Sequence, residues 1–175
     1  MKYEKLGSYI SEIKAKNSDL SVSTLKGINM RKEFIPSVAN TIGTDMSKYR
    51  IVKRGQFAYN PMHVGRDHLV PISLLLLDEA VIVSPAYAVF EIVDTTKLLP
   101  QYLMTWFKES DFDRQAWFST DNSIRGSISW DAFCELQLPV PSPSIQAAIC
   151  VNRIIENQKG ILEEKELLLG YIGVS

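Results

Sequence analysis

The residues able to do bond-making chemistry are few and scattered. His63 and His68 are the two histidines, and no Cys or paired acids stand at metal-ligand spacing beside them. They read as surface or loop histidines. Cys134 and Cys150 make no disulfide framework, and Cys134 has no evident activating base. The chain lacks G-x-S-x-G, the phosphate-binding G-x-x-x-x-G-K-[ST] loop and G-x-G-x-x-G. What remains is non-covalent chemistry. Arg and Lys grip phosphate, and Arg and Asn can pair with base edges in a duplex groove. Lys48, Arg50, Lys53 and Arg54 form the densest basic cluster and the best phosphate-binding candidates. Arg31, Lys32, Tyr59, Asn60, His63 and Arg66 fall in expected loops and could reach base edges; Asn122, Ser123 and Arg125 form a second polar loop of the same kind.

Asn60-Pro61-Met62-His63 is a near miss to the Asn-Pro-Pro-aromatic motif of amino-methyltransferases. The second proline and the aromatic are missing, and no glycine-rich cofactor loop precedes it. A turn closing the strand that ends at Tyr59 accounts for Asn-Pro.

Charge is distributed unevenly. The net charge is −1, which argues against a non-specific nucleic-acid coat. Yet Thr24 to His68 holds eight basic residues against three acids, while Asp78 to Asp113 holds seven acids against Lys97 and Lys108. Such a chain can present one basic face while staying near neutral overall.

The elements that must carry these residues follow from periodicity. At 46% hydrophobic and 22% charged, the chain suits one main globular domain. Val22 to Leu25, Ile51-Val52 and Gln56 to Tyr59 are strand candidates; Ile72 to Leu77, Ala80 to Ser84 and Tyr87 to Val93 look like the central strands of one sheet. Pro100 opens a helix over Gln101 to Ser110, and a second short helix covers Asp111 to Phe118. Tyr87, Phe90, Tyr102, Trp106 and Trp130 are assigned to the core. Pro139, Pro141 and Pro143 break any helix or central strand and form a stiff hinge, with Ser144 as the expected N-cap beyond it. One long helix then runs over roughly Ile145 to Leu169. Its apolar residues Ala147, Ile154, Ile161 and Leu168 repeat at seven, flanked by Ala148, Ile155, Leu162 and Leu169, with Val151 and Ile172 on the same stripe. A stripe of this length behind a proline hinge favours a partner helix; packing back onto its own domain is the alternative.

Several blocks together resemble the type I restriction-modification specificity subunit. Tyr49-Arg-Ile-Val-Lys-Arg-Gly-Gln-Phe-Ala-Tyr-Asn60 with Gly65 is similar to that family's Y-x-V-x-x-G-D-x-x-Y-N … G block. Ser84-Pro-Ala-Tyr-Ala-Val-Phe90, Pro100 to Leu103, and Arg125 to Ser129 with Leu136 to Pro141 and Gln146 resemble its later blocks, in the same order. Gln56 stands where the family usually has Asp, and Ser144-Ile145-Gln146 replaces x-E-Q. The family commonly carries two recognition domains and two spacer helices, and this sequence has one of each.

The resemblance implies a mixed α+β recognition domain over 1–138, with a twisted mixed β-sheet and short helices, followed by a hinge and coiled-coil-type spacer helix over 139–175. It implies a non-catalytic DNA-binding subunit that reads one half of a split site. Methyltransferase and restriction subunits would be its partners, and S-adenosylmethionine, ATP and Mg would be held on them, with no cofactor here. A half subunit could pair as a homodimer through Ala147, Val151, Ile154, Ile161 and Leu168; a fragment of a longer chain is the alternative. No signal peptide is evident and the longest apolar run, Leu69 to Leu77, is too short to span a bilayer, so a cytoplasmic protein is expected. Two other function classes stay open: an orphan interaction module that binds a methyltransferase without reading DNA, and a small enzyme.

Overall fold

The structure is a computed structural model. It describes residues 2–37, 43–62, 64–121 and 126–172, apart from the side chains of Arg66 and of residues 166–172. The strands are β1 (Tyr3–Lys5), β2 (Ile10–Ile13), β3 (Lys26–Ile28), β4 (Phe34–Pro36), β5 (Arg50–Val52), β6 (Phe57–Tyr59), β7 (Ile72–Leu74), β8 (Val81–Val83), β9 (Ala88–Ile92) and β10 (Gln137–Pro139). The helices are α1 (Val64–Asp67), α2 (Pro100–Phe107), α3 (Ser110–Phe118), α4 (Trp130–Glu135) and α5 (Pro143–Ile172).

A four-stranded antiparallel sheet in the order β2-β9-β6-β7 forms the centre. Side chains alternate across it, as the two-residue strand period requires. Phe57 and Tyr59 of β6, Phe90 and Ile92 of β9, and Ile72 and Leu74 of β7 point to one face and meet α2, α3 and α4 in the larger core. Ala58 and Val89 point the other way, where Val52, Val81 and Val83 of the β5-β8 pair and Ile28 of β3 cover them. The larger core is aromatic: Phe57 stacks on Phe90 at 4.9 Å and Tyr59 on Phe133 at 4.3 Å.

The three apolar runs expected in one sheet are therefore divided. β7 and β9 lie in the central sheet, while β8 pairs β5 on its far side. β7 and β8 are buried on both faces and β9 nearly so, so their sequences carry little alternation that would separate them. Val22 to Leu25 forms no named strand; it leads into β3, and Leu25 bridges Ile82 in parallel. The α4 helix begins where the Ser129 hydroxyl accepts the Ala132 N–H at 3.1 Å.

The hinge is not free-standing. β10 includes Pro139 and pairs antiparallel with β1. The long helix starts at Pro143, before the expected Ser144 cap, because proline needs no N–H partner in a first helical turn. At 30 residues α5 is about 45 Å long at 1.5 Å per residue. It packs on the body through its first two turns, where Gln146 is buried and Ile149 and Cys150 are partly so, and Arg153 in the next turn pairs with Glu109 between α2 and α3. Residues 151–165 are all exposed, including Val151, Ile154, Ile155, Ile161 and Leu162. No helix among the described residues is long and apolar enough to cross a membrane.

Candidate nucleic-acid interface

The Lys48-Arg50-Lys53-Arg54 cluster is split by the fold. Arg50 opens β5 and Lys53 lies just past its end, about 10 Å away at 3.3 Å per strand residue. The turn at Lys53 to Gln56 is closed by Gln56 N–H donating to Lys53 O at 3.0 Å, with Gly55 at φ +84°. That left-handed position favours glycine. Gln56, which departs from the family's Asp, accepts Lys53 N–H on Oε1 at 2.9 Å and donates from Nε2 to Glu91 at 3.0 Å. It secures the turn from both ends.

Most of the basic side chains already have carboxylate neighbours. Arg54 pairs with Asp78, and both are well exposed. Lys48 pairs with Asp45 at 3.4 Å and Arg50 with Glu12 at 3.8 Å. Lys53 is exposed and forms no ion pair among the described residues, as does Arg31 at the tip of the β3-β4 hairpin.

Two expected base readers are buried, and both are corrections. Lys32 is 5% exposed; its ammonium reaches Asp113 at 2.8 Å and also donates to Phe107 O. Tyr59 is not a loop residue. It belongs to β6, is 1% exposed and stacks on Phe133, and burial pushes its phenol well above the usual range. Tyr59 ends the strand expected over Gln56 to Tyr59, and its burial, like that of Lys32, comes from residues distant in sequence. Asn60 does form the expected turn: its side-chain oxygen accepts Met62 N–H at 3.0 Å, so half of the amide pair needed for adenine is already engaged.

The described residues that follow the second polar loop meet the first at one end of the molecule. Ile128 N–H donates to Pro61 O at 3.1 Å, and Gly65 N–H to Gly126 O at 2.8 Å. Asp121 and Ser127 close the second loop with paired backbone and side-chain bonds. A cleft of about 290 Å³ opens there, lined by Arg50, Tyr59, Pro61, Tyr87, Asp121, Ser127, Ser129 and Trp130 among others. Lys16 joins this end through its backbone bridge to Arg50. Sequence reasoning missed Lys16, Tyr87, Ser127, Ser129 and Trp130, because only tertiary contacts, a bridge for Lys16 and the loop bonds beside Ser127 and Ser129, bring them to this end. His63, Asn122, Ser123 and Arg125 lie outside the described residues, as do the side chains of Arg66 and Leu168. His68 is exposed and stacks on Trp117 at 4.3 Å.

A second, larger concavity of about 720 Å³ lies beside the root of α5, lined by Leu74 to Leu77, Met104, Cys150, Arg153 and Ile154, with Lys32 and Glu33. Burial and nearby carboxylates push the Cys134 thiol up, and burial does the same to Cys150, so neither is activated as a nucleophile. No group of His, Cys, Asp and Glu that could hold a metal ion occurs among the described residues.

No family model matches the chain, and no curated protein matches it in sequence. Solved structures do match its fold. A chain from a structure of the type I R-M system, concerned with complex assembly and conformational transition, aligns with a TM-score of 0.60 at 13% identity, covering 98% of this chain and 43% of that one. The HsdS subunit from Thermoanaerobacter tengcongensis aligns at 0.56 and 13% identity, covering 94% and 39%. The type I S subunit from M. genitalium aligns at 0.56 and 13%, covering 97% and 44%. The fold is that of a type I specificity subunit. The chain spans less than half the length of these specificity subunits, and the alignments take in both its body and its long helix.

Proposed function

We propose that this chain is a DNA sequence-recognition subunit of a type I restriction-modification system. The observation that carries the reading is the match of nearly the whole chain to less than half of each solved specificity subunit. One recognition body, residues 1–138, reads one half of a split site. The hinge and helix, 139–175, hold a second unit at fixed separation. The second unit is another copy, joined through α5. An exposed apolar stripe on a projecting helix supports that pairing, because such a face is stable only when covered. The chain performs no catalysis. Methyltransferase and restriction subunits, acting in the cytoplasm, supply methyl transfer and cleavage.

Recognition divides by chemistry. Exposed cations position the duplex through phosphates, and the loops around the 290 Å³ cleft meet base edges. Arg50 and Asn60 belong to that end, as do Asp121 and Ser127. Lys53, Arg54 and Arg31 supply outlying phosphate contacts.

A second reading is favoured by the ion pairs that engage Lys48, Arg50 and Arg54 and by the apolar groove at the α5 root. In it, the chain binds a methyltransferase subunit without reading DNA. Co-expression with a type I methyltransferase subunit, followed by mapping of methylated bases, separates the two. A new split motif with identical inverted halves supports recognition and two-fold assembly. A stable complex that methylates no defined site supports the interaction module.

A further inference from the structure

Gln146 is the one fully buried polar side chain described on α5, at 0% exposure. Its carboxamide is fully occupied by main-chain groups of two other segments. Oε1 accepts Leu99 N–H at 2.8 Å, and Nε2 donates to Lys97 O and to Pro141 O, each at 2.8 Å. Leu99 precedes α2 and offers no side-chain cap of its own, so Gln146 satisfies that end from another helix. On the other side of the hinge, Tyr102 Oη donates to Pro139 O at 2.8 Å.

Apolar packing alone gives this joint little direction. Beyond Gln146, Ile149 and Cys150 of α5 pack against the core, both partly exposed, and Arg153 pairs with Glu109 where both side chains are nearly half exposed, a contact of about 0–1 kcal/mol. A methyl surface can slide; three hydrogen bonds to fixed backbone atoms set an angle. From Gln146 to Ile172 the helix extends about 39 Å. A pivot of about 10° would therefore move its tip by about 7 Å, or roughly two base pairs at 3.4 Å each.

We propose that Gln146 is the positioning residue that sets the exit angle of the spacer helix, and so the half-site separation that an assembled pair accepts. The second clause rests on the recognition reading above; the first does not.

The test uses the full chain with Cys134→Ala and Cys150→Ala, spin-labelled at Thr95→Cys on the body and Glu163→Cys on the helix, both exposed positions. Labelled protein is diluted with unlabelled protein so that distances within one chain are read. Gln146→Leu, which keeps the bulk and removes the hydrogen bonds, shifts or widens the distance distribution by about 4 Å for a 10° pivot over the 25 Å lever. Gln146→Glu keeps the acceptor to Leu99 and loses both donors, and falls between Gln146→Leu and the parent. If Gln146→Leu does not fold, Gln146→Asn, too short to span the same partners, takes its place. A distribution identical to the parent's overturns the anchor, whatever the change in melting temperature.

The second arm assays methylation, in the co-expressed complex, of split sites whose spacers differ by one or two base pairs. The parent is expected to prefer one spacer and Gln146→Leu to spread over several, with the half-site sequences unchanged. An unchanged spacer preference despite a moved distance overturns the link to half-site separation. If the parent methylates no split site, the recognition reading fails while the distances still judge the anchor.

Discussion

The ammonium of Lys32 lies 2.8 Å from each carboxylate oxygen of Asp113, across 81 residues of sequence. The pair pins the β3-β4 hairpin to the helical layer. Lys32 also donates to Phe107 O and sits 4.9 Å from the Phe112 ring centre, while Asp113 accepts Val70 N–H at 3.0 Å. Burial pulls the Lys32 pKa down, and the Asp113 carboxylate opposes that pull. Its backbone is left-handed at φ +62°, a conformation costing roughly 1–2 kcal/mol for a residue with a Cβ. Lys32→Met leaves Asp113 nearly buried and unpaired and is expected to destabilise the fold by about 3–5 kcal/mol. Lys32→Met with Asp113→Asn regains part of that, because no uncompensated charge remains. Chemical denaturation measures both. A loss below about 1 kcal/mol for Lys32→Met would return Lys32 to the pool of ligand-facing cations.

The two separated basic ends can be told apart by salt. Each phosphate contact contributes about 0.9 to the slope of log affinity against log salt. Lys53→Ala with Arg54→Ala is expected to lower DNA affinity and flatten the slope by up to about 2. The exposed Arg54–Asp78 pair is little obstacle, since such pairs contribute about 0–1 kcal/mol. Arg50→Ala is measured beside it. An unchanged slope in either variant removes that end of β5 from the contact surface.

Dimerisation through α5 is checked by sedimentation. Ile161 is 66% exposed in a lone chain and lies in the middle of the stripe. Ile161→Asp places a carboxylate there and is expected to raise the dimer dissociation constant at least tenfold, while the melting curve of the body is unchanged. Sedimentation identical to the parent's would exclude this seam.

Gly65 and Gly126 bring the two candidate loops together. A Cβ on Gly126 would stand 2.5 Å from Gly65 Cα, and Gly126 has φ +57°. Gly126→Ala is expected to cost about 1–3 kcal/mol by overpacking backbone against backbone. It should weaken DNA binding more than Ile161→Asp weakens binding to a single half-site. Thermal melting and half-site titration read the two effects. A Gly126→Ala protein with the parent's melting point would mean that the loops are not held at this contact.

Much of the architecture was legible because it is written in local periods. The seven-residue repeat predicts α5 and the three prolines predict the break before it; α2 and α3 appear within a few residues of where Pro100 and the aromatic spacing place them. Short strands were harder. β1, β3 and β10 are three residues each, too short for alternation to declare itself. The site was less legible still. Composition marks Arg50 and Lys32 alike as basic candidates, yet Arg50 is partly exposed at a cleft and the Lys32 ammonium is committed to Asp113 and Phe107 O.

The amino-acid sequence by itself determined the kind of molecule: an α+β body with a basic segment, a proline hinge and an amphipathic rod. Those features depend on residues within a turn or two of one another, where side-chain period and backbone restriction act directly. Only the tertiary structure decided which side chains are free to meet a ligand. It buried Lys32 and Tyr59, split the basic cluster between two ends of β5, and committed Gln146 to the joint at which α5 leaves the body. Burial and pairing depend on partners tens of residues away, and no local pattern encodes where they will arrive.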